Sequence, residues 1–196
     1  MMYKIGKPRE KKGFTLVELI VVIAIIAILT AVLVPLINNW SQQASYTMLN
    51  DGAQTVSNVV NESISKIVAG GEPLVSHVDT ITGIKTAGDS GSFTVTVGSA
   101  TGNSTDTVSD TDSAEKKIAV EIATMLDATL NDPSVFTATM SNGAVAGVVY
   151  TTSKSVIPTD DEIKAVKKVK GFNGFEISGY GAVGVTGIYK TETETD

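Results

Sequence analysis

The chain has no cysteine, so no disulfide supports its fold. It has one histidine, His77, and no lysine, arginine or histidine between Gly13 and Lys66. Positive charge is scarce beyond the first residues. The formal net charge is −6 over 196 residues, but residues 1–13 hold five of the fifteen basic residues and one of the twenty-one acids. From residue 14 onward ten basic residues face twenty acids, a net charge of −10. That balance excludes nucleic-acid binding through a general basic surface.

What the chain does have is one long apolar run. Residues 13–37 read GFTLVELIVVIAIIAILTAVLVPLI. From Leu19 to Ile37 only Thr30 and the helix-disfavouring Pro35 interrupt apolar side chains. Nineteen residues at ~1.5 Å rise span roughly 28 Å, enough for a hydrocarbon core of about 30 Å. The basic residues of MMYKIGKPREKK precede the run, so the positive-inside rule holds this end in the cytoplasm and sends the C-terminus outside. A Sec-type signal fits less well, because the run is longer than its apolar region and lacks an A-x-A-like end. Glu18 is the anomaly. A carboxylate at the mouth of such a segment costs at most ~3 kcal/mol and needs a partner. A new α-amino group, made by cutting the chain just before Phe14, would supply the missing cation.

Lys11-Lys12-Gly13, then Phe14-Thr15-Leu16-Val17-Glu18, then the apolar run resemble the class III signal of type IV pilins and pseudopilins. The resemblance implies a leader, 1–13, removed by a prepilin peptidase, with cleavage after Gly13 and N-methylation of Phe14. It implies that Phe14 and Glu18 serve assembly and that Pro35 bends the helix. Residues 14–37 would be the transmembrane and filament-core helix, and 38–196 the extracellular globular domain with the amphipathic half of that helix. Ala27 stands where many relatives carry a glycine. The missing cysteines resemble Gram-positive members. The implied function is that of a non-enzymatic pilus subunit serving adhesion, motility or surface interaction. It begins as a single-pass protein of the cytoplasmic membrane and ends in an extracellular helical homopolymer. Its partners would be other copies of itself, the peptidase, an inner-membrane platform protein and an assembly ATPase. Alternatives within this reading are a pseudopilin of a type II secretion or DNA-uptake system and a minor-pilin adhesin.

Beyond Pro35 the helix changes character. Leu49, Ala53, Val56, Val60, Ile64 and Ile67 recur at steps of three and four, with Asn50, Asp51, Gln54, Asn58 and Asn61 between them, which predicts an amphipathic helix. Ala69-Gly70-Gly71 stops it. Trp40 would mark the outer membrane interface or simply pack. Residues 72–110 read as loop-rich, with short alternating runs at 77–85 and 92–97, and 98–112 as a polar surface loop. Residues 113–131 have helical spacing, capped by Asp112 or Ser113 and ended by Pro133. Runs at 135–141 and 144–151 flank Asn142-Gly143, a hairpin signal. Thr159 to Glu162 fits a capping box for a helix to about Val169. Runs at 175–178 and 182–189 read as a last strand pair. The class is α+β: a long N-terminal helix packed on an antiparallel sheet.

Other motifs carry less. Gly88-Asp89-Ser90-Gly91 spells the surroundings of the serine in trypsin-like proteases, but one histidine and a short domain make a glycine-rich turn the better reading. Gly179-x-Gly181-x-x-Gly184 fits a dinucleotide fingerprint only if a helix follows, and strand residues follow instead. Asp106, Asp110, Asp112 and Glu115 offer hard oxygen ligands that suit Ca²⁺, without EF-hand spacing, and otherwise read as a solvated acidic loop. No cofactor other than calcium is suggested.

Overall fold

The computed structural model describes residues 13–73, 76–85, 92–130 and 133–190. The chain divides into two compact units, Met1–Ser41 and Gln42–Asp196. Helix α1, Leu16–Ala69, begins in the first and ends in the second.

In the first unit every residue of α1 from Leu16 to Ile37 is exposed. Thr30 returns its hydroxyl to the carbonyl of Ile26 at 2.7 Å, so its polar group is satisfied within the helix. The helix continues through Pro35, which has no N–H to give the preceding turn. Trp40, just beyond the apolar run, is 68 % exposed.

The second unit holds the rest of α1 and one antiparallel sheet. Its strands are β1 (Thr80–Lys85), β2 (Phe93–Val97), β3 (Ala100–Asn103), β4 (Ser134–Ser141), β5 (Ala144–Thr151), β6 (Lys167–Lys168), β7 (Phe175–Ile177) and β8 (Gly181–Gly187). Their order is β3-β2-β1-β4-β5-β8-β7-β6, with every pairing antiparallel. Helices α2 (Ala114–Asp127) and α3 (Asp160–Lys164) complete it, with a 3-10 turn at Ile188–Lys190.

Two cores organise this unit. In the larger, the expected stripe of Leu49, Ala53, Val56, Val60 and Ile64 meets Ile118, Ile122 and Leu126 of α2 over Phe93, Val95, Phe136 and Val148. The smaller joins Val149, Phe175, Ile177, Val183 and Val185 to Ile163 of α3. Val148 belongs to one core and its neighbour Val149 to the other, as side chains of alternating direction must. That is why β5 reads as a nearly continuous apolar run.

The helices approach the sheet where it carries no side chain. A Cβ on Gly184 would lie 1.8 Å from the carbonyl oxygen of Leu49 in α1, and one on Gly102 would lie 2.6 Å from the backbone nitrogen of Val120 in α2. Polar side chains then tie α1 down. The Asn50 and Asn61 side-chain oxygens each accept an N–H at 3.1 Å, from Val185 and Val145 respectively. The Tyr46 hydroxyl donates to Glu176 at 2.7 Å. Beyond Ala69, Gly71 N–H bonds the Val68 carbonyl and Glu72 N–H that of Ile67, the pairing of a Schellman stop.

The hairpin, the last strand pair and the capping box lie where the sequence placed them. Asn142 and Gly143 have φ of 53° and 78°, as a type I′ turn requires. Thr159 and Glu162 bond reciprocally. Ser113, not Asp112, caps α2 by accepting the N–H of Lys116.

Three expectations change. The loop at 98–112 begins with strand β3, which pairs with β2 across a two-residue Gly98-Ser99 loop. Its polar residues are used across the pair: the Thr94 hydroxyl donates to the Asn103 side chain at 2.7 Å. Helix α2 ends at Asp127 rather than 131, closed by Leu130 N–H on the carbonyl of Leu126. The helix expected to Val169 stops at Lys164. Val166 turns into the fold and Lys167-Lys168 add an edge strand to β7.

Candidate functional site

The start of α1 is built by two side chains. Thr15 closes the helix, its carbonyl accepting Leu19 N–H at 3.2 Å. Its hydroxyl oxygen accepts Glu18 N–H at 3.2 Å. The Glu18 carboxylate reaches back to Thr15 N–H at 2.9 Å and accepts the Thr15 hydroxyl at 2.7 Å. This is a capping box, the arrangement Thr159 and Glu162 also make. It satisfies otherwise orphaned donors and sets a negative charge at the positive end of the helix macrodipole.

A new α-amino group is the partner expected for Glu18 from the sequence; within this chain its partner is Thr15. The signal was available: threonine, two residues, glutamate, then an apolar run is the sequence form of a capping box.

Residues 8–34 match the family model of the prokaryotic N-terminal methylation motif. No solved structure matches the chain. The motif and the apolar start of α1 point the same way. The chain fits a type IV prepilin-like protein. The motif belongs to a structural rather than an enzymatic family and implies processing by a prepilin peptidase.

In this prepilin-like chain Phe14 is 87 % exposed, just ahead of the cap. A Cβ on Gly13 would meet nothing within 4 Å among the described residues, so their packing does not require glycine there. Residues 1–12 of the expected leader lie outside the described residues, as do 88–91 of the protease-like tetrapeptide. The glycine triplet is structural. Gly179 and Gly181, with φ of 84° and 74°, turn β7 into β8, and Gly184 lies beneath α1.

Three of the four acids weighed for calcium are engaged separately. Asp106 pairs with Lys116 Nζ at 2.7 Å and accepts Asn103 N–H at 3.0 Å. Asp112 accepts Ser109 N–H at 2.7 Å, and Glu115 meets His77 Nε2 at 2.7 Å. Asp110 is exposed beside them. Among the described residues no group of three or more His, Asp or Glu side chains is placed to hold a metal ion.

The Lys116 ammonium, then the Asn103 amide, hold the Asp106 carboxyl below its ordinary value of 3.8. A depressed carboxylate stabilises the folded chain above that value, and the contribution is lost as pH falls through the folded pKa. Lys116→Met should therefore raise the Asp106 titration midpoint toward 3.8, read by carboxyl NMR. An unmoved midpoint would refute the assignment.

Proposed function

We propose that this chain is a structural subunit of a type IV pilus. A prepilin peptidase cuts between Gly13 and Phe14 and methylates the Phe14 amine. An inner-membrane platform protein and an assembly ATPase then move the subunit from the cytoplasmic membrane into an extracellular homopolymer. The apolar start of α1 forms the filament core and the second unit forms the coat.

One observation carries this reading. The second unit closes its own two cores, while the side chains of α1 from Leu16 to Ile37 are left exposed. An apolar surface of that length needs lipid before assembly and other copies of itself afterwards. Glu18 is its only charged residue.

Intact-mass measurement of sheared surface filaments tests the proposal. The expected subunit begins at Phe14 and carries one added methyl group. Because a Cβ at Gly13 would meet none of the described residues within 4 Å, Gly13→Trp should stop processing without disturbing the fold, leaving precursor in the membrane. Surface filaments lacking this subunit, or subunits retaining the leader, would defeat the reading. A processed subunit confined to short periplasmic or envelope-spanning fibres would favour a pseudopilin.

A further inference from the structure

The two faces of the sheet differ. Toward α1 and α2, strands β1 and β2 present Ile81, Phe93, Val95 and Val97, all in the larger core. Alternation sends Thr80, Thr82, Thr94 and Thr96 to the opposite face, where they are half-buried. Neither core takes a residue from this outer face of β1, β2 and β3. The face carries no charged residue, in a chain whose net charge from residue 14 onward is −10. At its β3 border Asp106 is matched by Lys116.

Threonine suits a solvent-facing strand position on propensity alone, but the register adds an arrangement. Thr101, Thr96 and Thr82 stand directly opposite one another, one per strand, in a row across β3, β2 and β1. The Thr96 and Thr101 hydroxyls lie 3.3 Å apart, and those of Thr80 and Thr82 make no hydrogen bond among the described residues. One row further along, the paired Thr80 and Thr139 line a cavity of about 380 Å³ with Ile163, Ile188 and Tyr189. Its charged residues, Asp79, Asp160 and Lys164, are exposed and of both signs.

We propose that the outer face of β1, β2 and β3 binds an extended, uncharged, β-linked polysaccharide. Strands lie about 4.8 Å apart, close to the advance per ring of such a chain, so one row offers a hydroxyl to each successive ring. Each hydroxyl can donate and accept, and each threonine methyl can cover the apolar face of a ring. The sheet twists by roughly 20 to 25° per strand, so the row presents no plane to a crystal but can follow a single chain that turns with it. A face without charge draws no polyion. Three hydroxyls hold weakly, and repetition along a filament multiplies the hold; that gain, though not the site, rests on the filament reading above.

Beads densely coated with the full chain in detergent test this without filaments. The probe is labelled hydroxyethyl cellulose, uncharged and β-linked. Carboxymethyl cellulose is its anionic counterpart, and dextran is uncharged but α-linked. Wild type should retain the first and neither of the others. Thr82→Val/Thr96→Val keeps the β-branched shape and removes two hydroxyls of the row, so retention should fall on the order of tenfold. Thr82→Ser/Thr96→Ser should keep most of it, and Thr107→Val, at an exposed loop position, all of it. In the wild-type chain the Thr82 and Thr96 methyl NMR signals should shift as the probe is added, a readout that no variant's folding can confound. A probe that wild type does not retain, a valine pair that binds like wild type, or unmoved Thr82 and Thr96 methyls would overturn the proposal. Equal retention of dextran would overturn the match to ring advance, and tighter retention of carboxymethyl cellulose would make the occupant an anionic polymer; either sinks it. Cells without surface filaments would defeat the pilus reading and leave the bead result standing.

Discussion

Replacing Glu18 by alanine is expected to leave cleavage and membrane insertion intact and to abolish surface filaments or nearly so. If the chain is cut and methylated as proposed, Phe14 would carry a secondary amine that is cationic near neutral pH. In the proposed filament each subunit would enter displaced along the axis, and its Glu18 would meet the N-terminus of a neighbour. Attraction between the charges rises as the effective dielectric falls, while a buried charge deprived of its partner costs about 3–5 kcal/mol. A subunit docked one step wrong therefore loses the pair, whereas apolar contacts discriminate poorly between steps.

The capping box sharpens this experiment. Glutamine at position 18 can still accept the Thr15 N–H and hydroxyl, so Glu18→Gln keeps the helix start and removes only the charge. If charge pairing sets register, Glu18→Gln is nearly as defective as Glu18→Ala, and Glu18→Asp falls between them and wild type. Processed Glu18→Gln subunit that assembles into filaments of normal number and length would leave Glu18 with a capping role alone.

The second large effect is expected at Gly184. Its added Cβ would fall 1.8 Å from the Leu49 carbonyl oxygen and 2.7 Å from the Asn50 nitrogen, both helix backbone. A side chain there cannot be accommodated by a rotamer change; α1 itself must lift from β8. Gly184→Val should therefore cost about 3 kcal/mol or more, the upper end for overpacking. It should pull the Asn50 side chain off Val185 as well. Gly181→Ala is the control. It strains a φ of 74° but meets no atom within 4 Å, and should cost roughly 1–2 kcal/mol. Thermal unfolding and limited proteolysis of the full chain in detergent would rank them. Equal losses from the two variants would mean that the helix is not seated on Gly184.

What the sequence made legible here is local and periodic. The stripe from Leu49 to Ile64, the Asn142-Gly143 hairpin and the Thr159 box each follow from neighbours within a few positions. The methylation motif is likewise contiguous. Strand order was not legible, because β5 pairs with β8 across three intervening elements. Edge strands β3 and β6 were hidden for a related reason. With one side unpaired they are short and carry threonine, asparagine or lysine in place of the apolar alternation that announces a strand. Asn50 and Asn61 sat on the face assigned to solvent, yet each accepts a strand amide, a role that composition and spacing do not distinguish from exposure. The Thr15 to Glu18 box is legible too, as a threonine and a glutamate three residues apart ahead of an apolar run.

In the proposed filament, tension would enter each second unit along α1, and with no cysteine in the chain no disulfide would hold that joint. The Asn50 and Asn61 side chains grip Val185 on β8 and Val145 on β5, strands that are hydrogen-bonded to each other. The two grips are eleven residues apart on one helix, so a pull along its axis loads them in parallel and in shear instead of peeling one before the next. Stress then passes into the middle of the sheet and spreads outward through its ladder. The weak point under load should be the ends of the sheet, where β3 and β6 are short, and not the joint between helix and coat.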